Sequence, residues 1–73
     1  MQLTTKQQKE LGFNPYKNSG YEFVHWSEEI AFNSKDNTVY EFCEVDGIGK
    51  SIVKVNNYNE LKDLIKNVLF LSI

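Results

Sequence analysis

Few residues in this chain could do chemistry. They are one histidine, His25, one cysteine, Cys43, the run Gly47-Ile48-Gly49-Lys50-Ser51, and the carboxylates Glu28, Glu29, Glu44 and Asp46. A thiol becomes a nucleophile when an imidazole within hydrogen-bond reach takes its proton. The strand register set by the turns puts His25 and Cys43 on opposite faces of a sheet. They read instead as a sheet-edge histidine and a small apolar cysteine. The glycine-lysine run resembles the end of a phosphate-binding loop, G-x-x-x-x-G-K-[ST], but Glu44 stands where the first glycine is needed. The strand Ser51-Ile52-Val53-Lys54-Val55 then follows where that loop requires a helix N-terminus facing the phosphates. One His and one Cys without ligand spacing assemble no zinc site, and the carboxylates do not follow the calcium-loop pattern. The carboxylates read as solvated turn residues. No catalytic, cofactor or metal site is expected, and the chain is read as a non-enzyme.

The elements that must position these residues are organised around residues 30–55. Within them Thr38-Val39-Tyr40-Glu41-Phe42-Cys43-Glu44-Val45 is rich in β-branched and aromatic residues and bounded by turn chemistry, so it reads as the middle strand of an antiparallel meander. Ser34-Lys35-Asp36-Asn37-Thr38 suits a three-residue hairpin loop with Asn37 left-handed, which pairs Ser34 with Thr38, Phe32 with Tyr40 and Ile30 with Phe42. Closing Asp46-Gly47-Ile48-Gly49 as a second loop pairs Phe42 with Val53, Tyr40 with Val55, Cys43 with Ile52, and Glu41 with Lys54. Alternation then assigns Ile30, Phe32, Tyr40, Phe42, Val53 and Val55 to one apolar face. Residues 21–26 alternate as a further strand, joined through Ser27-Glu28. It pairs His25 with Ile30 and Phe23 with Phe32, with Tyr21, Phe23 and His25 on the core face and Glu22, Val24 and Trp26 opposite.

A helix is expected at each end. At the first, Thr5 is the N-cap with Gln8 three residues on, Gly12 is the terminating glycine, and the apolar residues are Leu3, Leu11 and Phe13. Residues 14–20 read as a loop because Pro15 biases Asn14 away from helix. At the second, Asn57 caps and Glu60 stands at the capping-box spacing, and Tyr58, Leu61, Leu64, Ile65, Val68 and Leu69 form one stripe. Lys62, Asp63, Lys66 and Asn67 take the other side, while residues 70–73 are apolar enough to pack. The expected fold is α+β in a single domain, residues 1–73. It has a short N-terminal helix, a three- to four-stranded antiparallel meander, and a C-terminal amphipathic helix on one sheet face.

Composition narrows the function. The chain has 73 residues and net charge −2, with eight basic residues, all lysine. Without arginine, the preferred residue for bidentate phosphate and guanine recognition, nucleic acid is not expected as the main ligand. A lone cysteine forms no internal disulfide, and neither a signal-peptide core nor a membrane-length apolar run is present, so a cytoplasmic location is expected and no membrane partner. The second sheet face, with Val24, Trp26, Ala31, Val39, Cys43, Val45 and Ile52, carries more apolar area than a solvated face should. The N-terminal helix and the following loop could cover it. Otherwise it serves a homodimer or a heterologous partner, with Val24, Trp26, Val39, Cys43 and Ile52 as protein-binding residues and Glu41 and Lys54 as a polar pair among them.

The arrangement of a helix ending in Leu11-Gly12-Phe13, an aromatic-rich meander, and a helix opened by Asn57-Tyr58-Asn59-Glu60-Leu61 resembles small phage- and prophage-encoded proteins of low-GC Gram-positive bacteria. Abundant Asn, Lys and Ile without arginine is similar to products of AT-rich genomes. The resemblance implies an accessory protein, sometimes an inhibitor of a host enzyme or defence system. It carries over no site residue. Three readings stand: a protein-binding module acting on a host protein, a self-associating structural subunit, and a small enzyme or nucleotide-binding protein.

Overall fold

The structure, a computed structural model, describes residues 1–16 and 22–71, and side chains for 1–16 and 23–67. Helix α1 (Thr5–Leu11) leads into strands β1 (Asn14–Tyr16), β2 (Glu22–His25), β3 (Ile30–Asn33), β4 (Thr38–Cys43) and β5 (Gly47–Lys54), and helix α2 (Tyr58–Leu71) closes the chain. The strands form one antiparallel sheet in sequence order, β1-β2-β3-β4-β5. The α+β class and both helices are as expected, but the sheet has five strands where three to four were expected. The additional strand, β1, lies in the segment expected to be loop. Proline lacks a backbone donor, so a strand containing Pro15 is tolerated at a sheet edge, and β1 occupies that place.

The helix caps follow local chemistry. The first N-cap is Thr4 rather than Thr5. Its Oγ1 accepts the Gln7 N–H at 3.1 Å, and the Gln7 Oε1 accepts the Thr4 N–H at 3.0 Å, a complete capping box. Gly12 ends the helix at φ 80°, as expected. A side chain there would be strained, and its Cβ would stand 2.9 Å from His25 Nε2, so glycine is required twice over. At α2 the Asn57 Oδ1 accepts the Glu60 N–H at 2.9 Å, while Glu60 reaches back to the N–H of Asn56 at 2.8 Å.

The β2–β3, β3–β4 and β4–β5 connections each run into a residue with positive φ: Glu29 at 54°, Asn37 at 55° and Gly47 at 79°. The β2–β3 pairing is as expected, with His25 opposite Ile30 and Phe23 opposite Phe32. The β3–β4 connection keeps Asn37 left-handed but contains one residue more than expected. Asn33 therefore faces Thr38, Phe32 faces Val39, Ala31 faces Tyr40 and Ile30 faces Glu41. The turn's own hydrogen bonds fit this closure: Asp36 Oδ1 accepts the Thr38 N–H at 3.1 Å, and Asn33 Oδ1 accepts the Lys35 N–H at 2.9 Å. A one-residue slip exchanges the faces of a whole strand. The small β-branched Val39 thus lies under the helices and is 1% exposed, whereas Tyr40 is on the opposite side with its hydroxyl hydrogen-bonded to Asp36. The expected apolar face is corrected accordingly, since neither Tyr40 nor Phe42 belongs to the helix-covered side.

The last hairpin also closes earlier than expected, at Cys43 opposite Gly47. Two register shifts follow, so that Phe42 faces Ile48, Tyr40 faces Ser51, Val39 faces Val53 and Thr38 faces Lys54. The expected Glu41–Lys54 pair does not form. Gly49 sits within this irregular stretch, where an added Cβ would meet the Cβ of Glu41 at 3.4 Å.

Both helices pack on the same face. Leu3, Leu11 and Phe13 from the N-terminal segment join Phe23, Ile30, Phe32, Val39 and Val55 of the sheet region and Leu61 and Ile65 of α2 in one core, with Tyr58 and Leu64 at its margin. Lys62 Nζ and Glu10 Oε1, 2.8 Å apart, link α2 to α1. This placement answers the expectation that α1 would cross the second face: it does not. That face holds a smaller cluster, Val24, Ala31 and Phe42, with Tyr16 and Ile48 against it. The expected positions of Tyr21 on the core face, Glu22 opposite it, Val68 and Leu69 in the α2 stripe, and residues 70–73 packed all lie outside the described residues or side chains, as does the 17–20 part of the expected loop.

Candidate functional site

In an antiparallel meander, alternate turns fall at the same end of the sheet. The β2–β3 turn and the β4–β5 turn therefore meet, with the end of β4 between them. At this end the ring of Trp26 stands edge-on to Phe42, with centroids 5.1 Å apart, and Tyr16 approaches the same ring at 5.3 Å. Aromatic pairs prefer this T-shaped arrangement. Phe42 is thereby buried while Trp26 remains 49% exposed.

An open groove of about 470 Å³ runs over this end, bounded by Ile30, Phe42, Cys43 and Ile52 and by the acidic residues Glu28, Glu29, Glu41 and Asp46. A smaller depression of about 230 Å³ adjoins it, sharing Glu29, Phe42 and Cys43 and adding Trp26 and Glu44. The backbone reinforces the junction, since the Phe42 N–H donates to the Glu29 carbonyl at 2.9 Å. Among the described residues, Glu29, Glu41, Glu44 and Asp46 have no cationic partner; the ion pair of Glu10 and Lys62 belongs to the helices.

The five residues expected to bind protein divide into two groups. Val24, at 0% exposure, and Val39, at 1%, are interior, and Val39 lies on the helix-covered face rather than the second face. Trp26, Cys43 and Ile52 are exposed, and all three border the groove or its neighbour. The turn residue Val45 is also exposed, at 90%. Sequence reasoning missed the acidic rim as a unit. The signal was legible: Glu28, Glu29, Glu44 and Asp46 occupy the two turns that a meander brings to one end.

The register correction also alters the His25 and Cys43 reading. Alternation along β4 puts Cys43 on the side of Val39 and Glu41, which is the side of His25, not the opposite one. The two groups still have separate surroundings. His25 is buried against Phe13, ring centroids 5.7 Å apart, and its Nδ1 accepts the Glu28 N–H at 3.2 Å. Cys43 is exposed beside carboxylates, without the adjacent base or cation that a nucleophilic thiol uses. The Gly47–Ser51 run forms the first part of β5, so a strand stands where a phosphate loop would pass into a helix. No group of three or more His, Cys, Asp or Glu among the described residues could hold a metal ion. No described helix is long and apolar enough to cross a membrane.

An open groove with a polar rim and an exposed tryptophan beside it has features found in contact surfaces. The chain matches no protein-family model, no curated protein and no solved structure.

Proposed function

We propose that this protein is a small non-catalytic binding module that recognises another protein through the acidic-rimmed end of its sheet. One observation carries the reading. Exposed Trp26 borders the depression at the turn end of the sheet, and exposed Ile52, further along β5, borders the adjoining groove, while the other large side chains lining them, Phe42 and Ile30, are packed away. Apolar surface held out of the core in so small a domain favours contact with a partner. The composition and the pattern-level resemblance support the finer reading of a phage or mobile-element accessory protein, active in the cytoplasm and inhibiting or recruiting a host protein. Affinity capture from lysate with the wild-type chain and with a Trp26→Ala/Ile52→Lys variant tests it. A partner retained by the wild type and lost by a still-folded variant is the expected outcome. Equal retention by both chains would contradict the assignment of this surface.

A second reading, self-association, draws on β5. This edge strand has eight residues, and it exposes Ile52 at 52% and Val53 at 39%. Such an edge can pair with a second copy, although its register shifts and Lys50 and Lys54 are features that blunt edges. Light scattering across a concentration series separates the readings, since a mass doubling abolished by Val53→Lys would favour the dimer.

A further inference from the structure

We propose that the groove takes a basic peptide segment, one whose lysine or arginine side chains flank an apolar residue; the inference rests on the binding-module reading and names the chemistry of the partner. Ile52 on the groove and Trp26 on the adjoining depression, both about half exposed, offer apolar contacts to a segment that crosses from one to the other. The rim decides what must accompany those contacts. Glu29, Glu41, Glu44 and Asp46 stand around the two depressions without a cationic partner among the described residues, while the whole chain carries a formal charge of only −2.

A neutral or acidic segment seated here would strip water from these carboxylates and return no compensating charge. A basic segment supplies the missing charge, and complementarity of this kind governs both partner choice and association rate. The exposed Trp26 indole adds a cation–π surface, which suits guanidinium groups best. Lys50, on β5, is close in sequence but is not among the lining residues of either depression. A small polycation could satisfy the carboxylates but would leave Trp26 and Ile52 uncovered, which is why a peptide is favoured over a free polyamine.

Trp26 is the only tryptophan, so its emission reports on this site alone. The full chain is titrated with three Trp- and Tyr-free peptides of on the order of ten residues, alternating leucine with arginine, with serine or with glutamate, and separately with spermine. The expected result is a Trp26 emission shift with the arginine peptide at roughly tenfold or more tighter affinity than with the serine peptide, a preference that shrinks severalfold at about 0.5 M salt. A Glu29→Lys/Glu44→Lys variant of unchanged circular dichroism should transfer the preference to the glutamate peptide. Should it not fold, Glu41→Gln/Asp46→Asn serves, with an expected loss of preference. Equal affinity for arginine and serine peptides, or the same shift and affinity with spermine, would overturn the basic-peptide assignment while leaving a working groove. No Trp26 response to any peptide would overturn the groove reading itself.

Discussion

The two faces of the sheet are packed by different means. On one, two helices bury Phe32, Val39, Leu61 and Ile65 to 1% exposure or less, in a core that draws on both helices and on β2, β3 and β4. On the other, Val24, Ala31 and Phe42 are covered by neighbouring rings and by Ile48, and the packing thins toward the exposed Trp26. The difference teaches where stability and binding reside. The helix-covered face holds the domain together, and the sheet end beyond the smaller cluster can change its surface without unfolding the rest.

The comparison breaks most sharply at Val39. Were it on a solvated or partner-facing surface, Val39→Lys would be tolerated. As an interior residue it should lose about 4 kcal/mol or more, because a lysine charge would be buried without a partner. That approaches the whole stability of so small a domain. Circular dichroism should therefore show no cooperative melt, and a folded Val39→Lys protein would return Val39 to the surface.

Phe42 probes the other side. Phe42→Ala should cost about 3 kcal/mol, the lower end for a buried phenylalanine, since the hole opens in a cluster of three rather than in the main core. The same substitution at Phe32 should cost more. A thermal melt in which Phe42→Ala is the worse variant would reverse the ranking of the faces.

Glu29 sharpens the separation of roles. Its φ of 54° is one that side chains adopt at a cost, so Glu29→Gly should stabilise the protein by about 1 kcal/mol while removing a rim carboxylate. A higher urea midpoint together with weaker binding of a basic peptide is expected. A lower midpoint would mean that the carboxylate itself supports the turn.

The smallest effect is expected between the helices. The hydrogen bond and charge of Lys62 hold the Glu10 carboxyl below its ordinary pKa, and Glu10 holds the Lys62 ammonium above its own. A lowered carboxylate pKa stabilises the fold above the unfolded value and loses that contribution as pH falls through the folded one. Glu10→Gln should accordingly melt slightly below wild type at neutral pH. The difference should close on acidification or in high salt, because both partners are solvent-exposed. Tyr58 lies in the same region, with its hydroxyl buried and unpartnered among the described residues; burial first, and then Glu10, raise its pKa.

Much of this fold was legible where local chemistry decides. Gly12, Asn57 and the α2 stripe residues Leu61 and Ile65 act as their spacing implies, and the β2–β3 register is the one that a turn through Ser27-Glu28 gives. What local pattern could not decide was the face of β4. Val39-Tyr40-Glu41-Phe42 offers Val39 to one side and Tyr40 and Phe42 to the other, apolar either way, so a single residue in the preceding turn settles which goes under the helices. The irregular β5 hid for a related reason, since register shifts leave the residue pattern looking regular. The site was half legible: of the five residues assigned to an over-apolar second face, Trp26, Cys43 and Ile52 are exposed, whereas Val39 is claimed by the helix-covered core and Val24 by the small cluster around Phe42.

The central claim, that one end of the sheet presents an exposed aromatic within an acidic rim, can be tested without any partner. Quenching of Trp26 fluorescence by caesium and by iodide, each normalised to a free indole, compares a cation and an anion at the same ring. The account predicts efficient quenching with caesium favoured at low ionic strength, and the preference lost in the Glu29→Lys/Glu44→Lys variant. An indole shielded from both ions, or quenched equally by them, would contradict it.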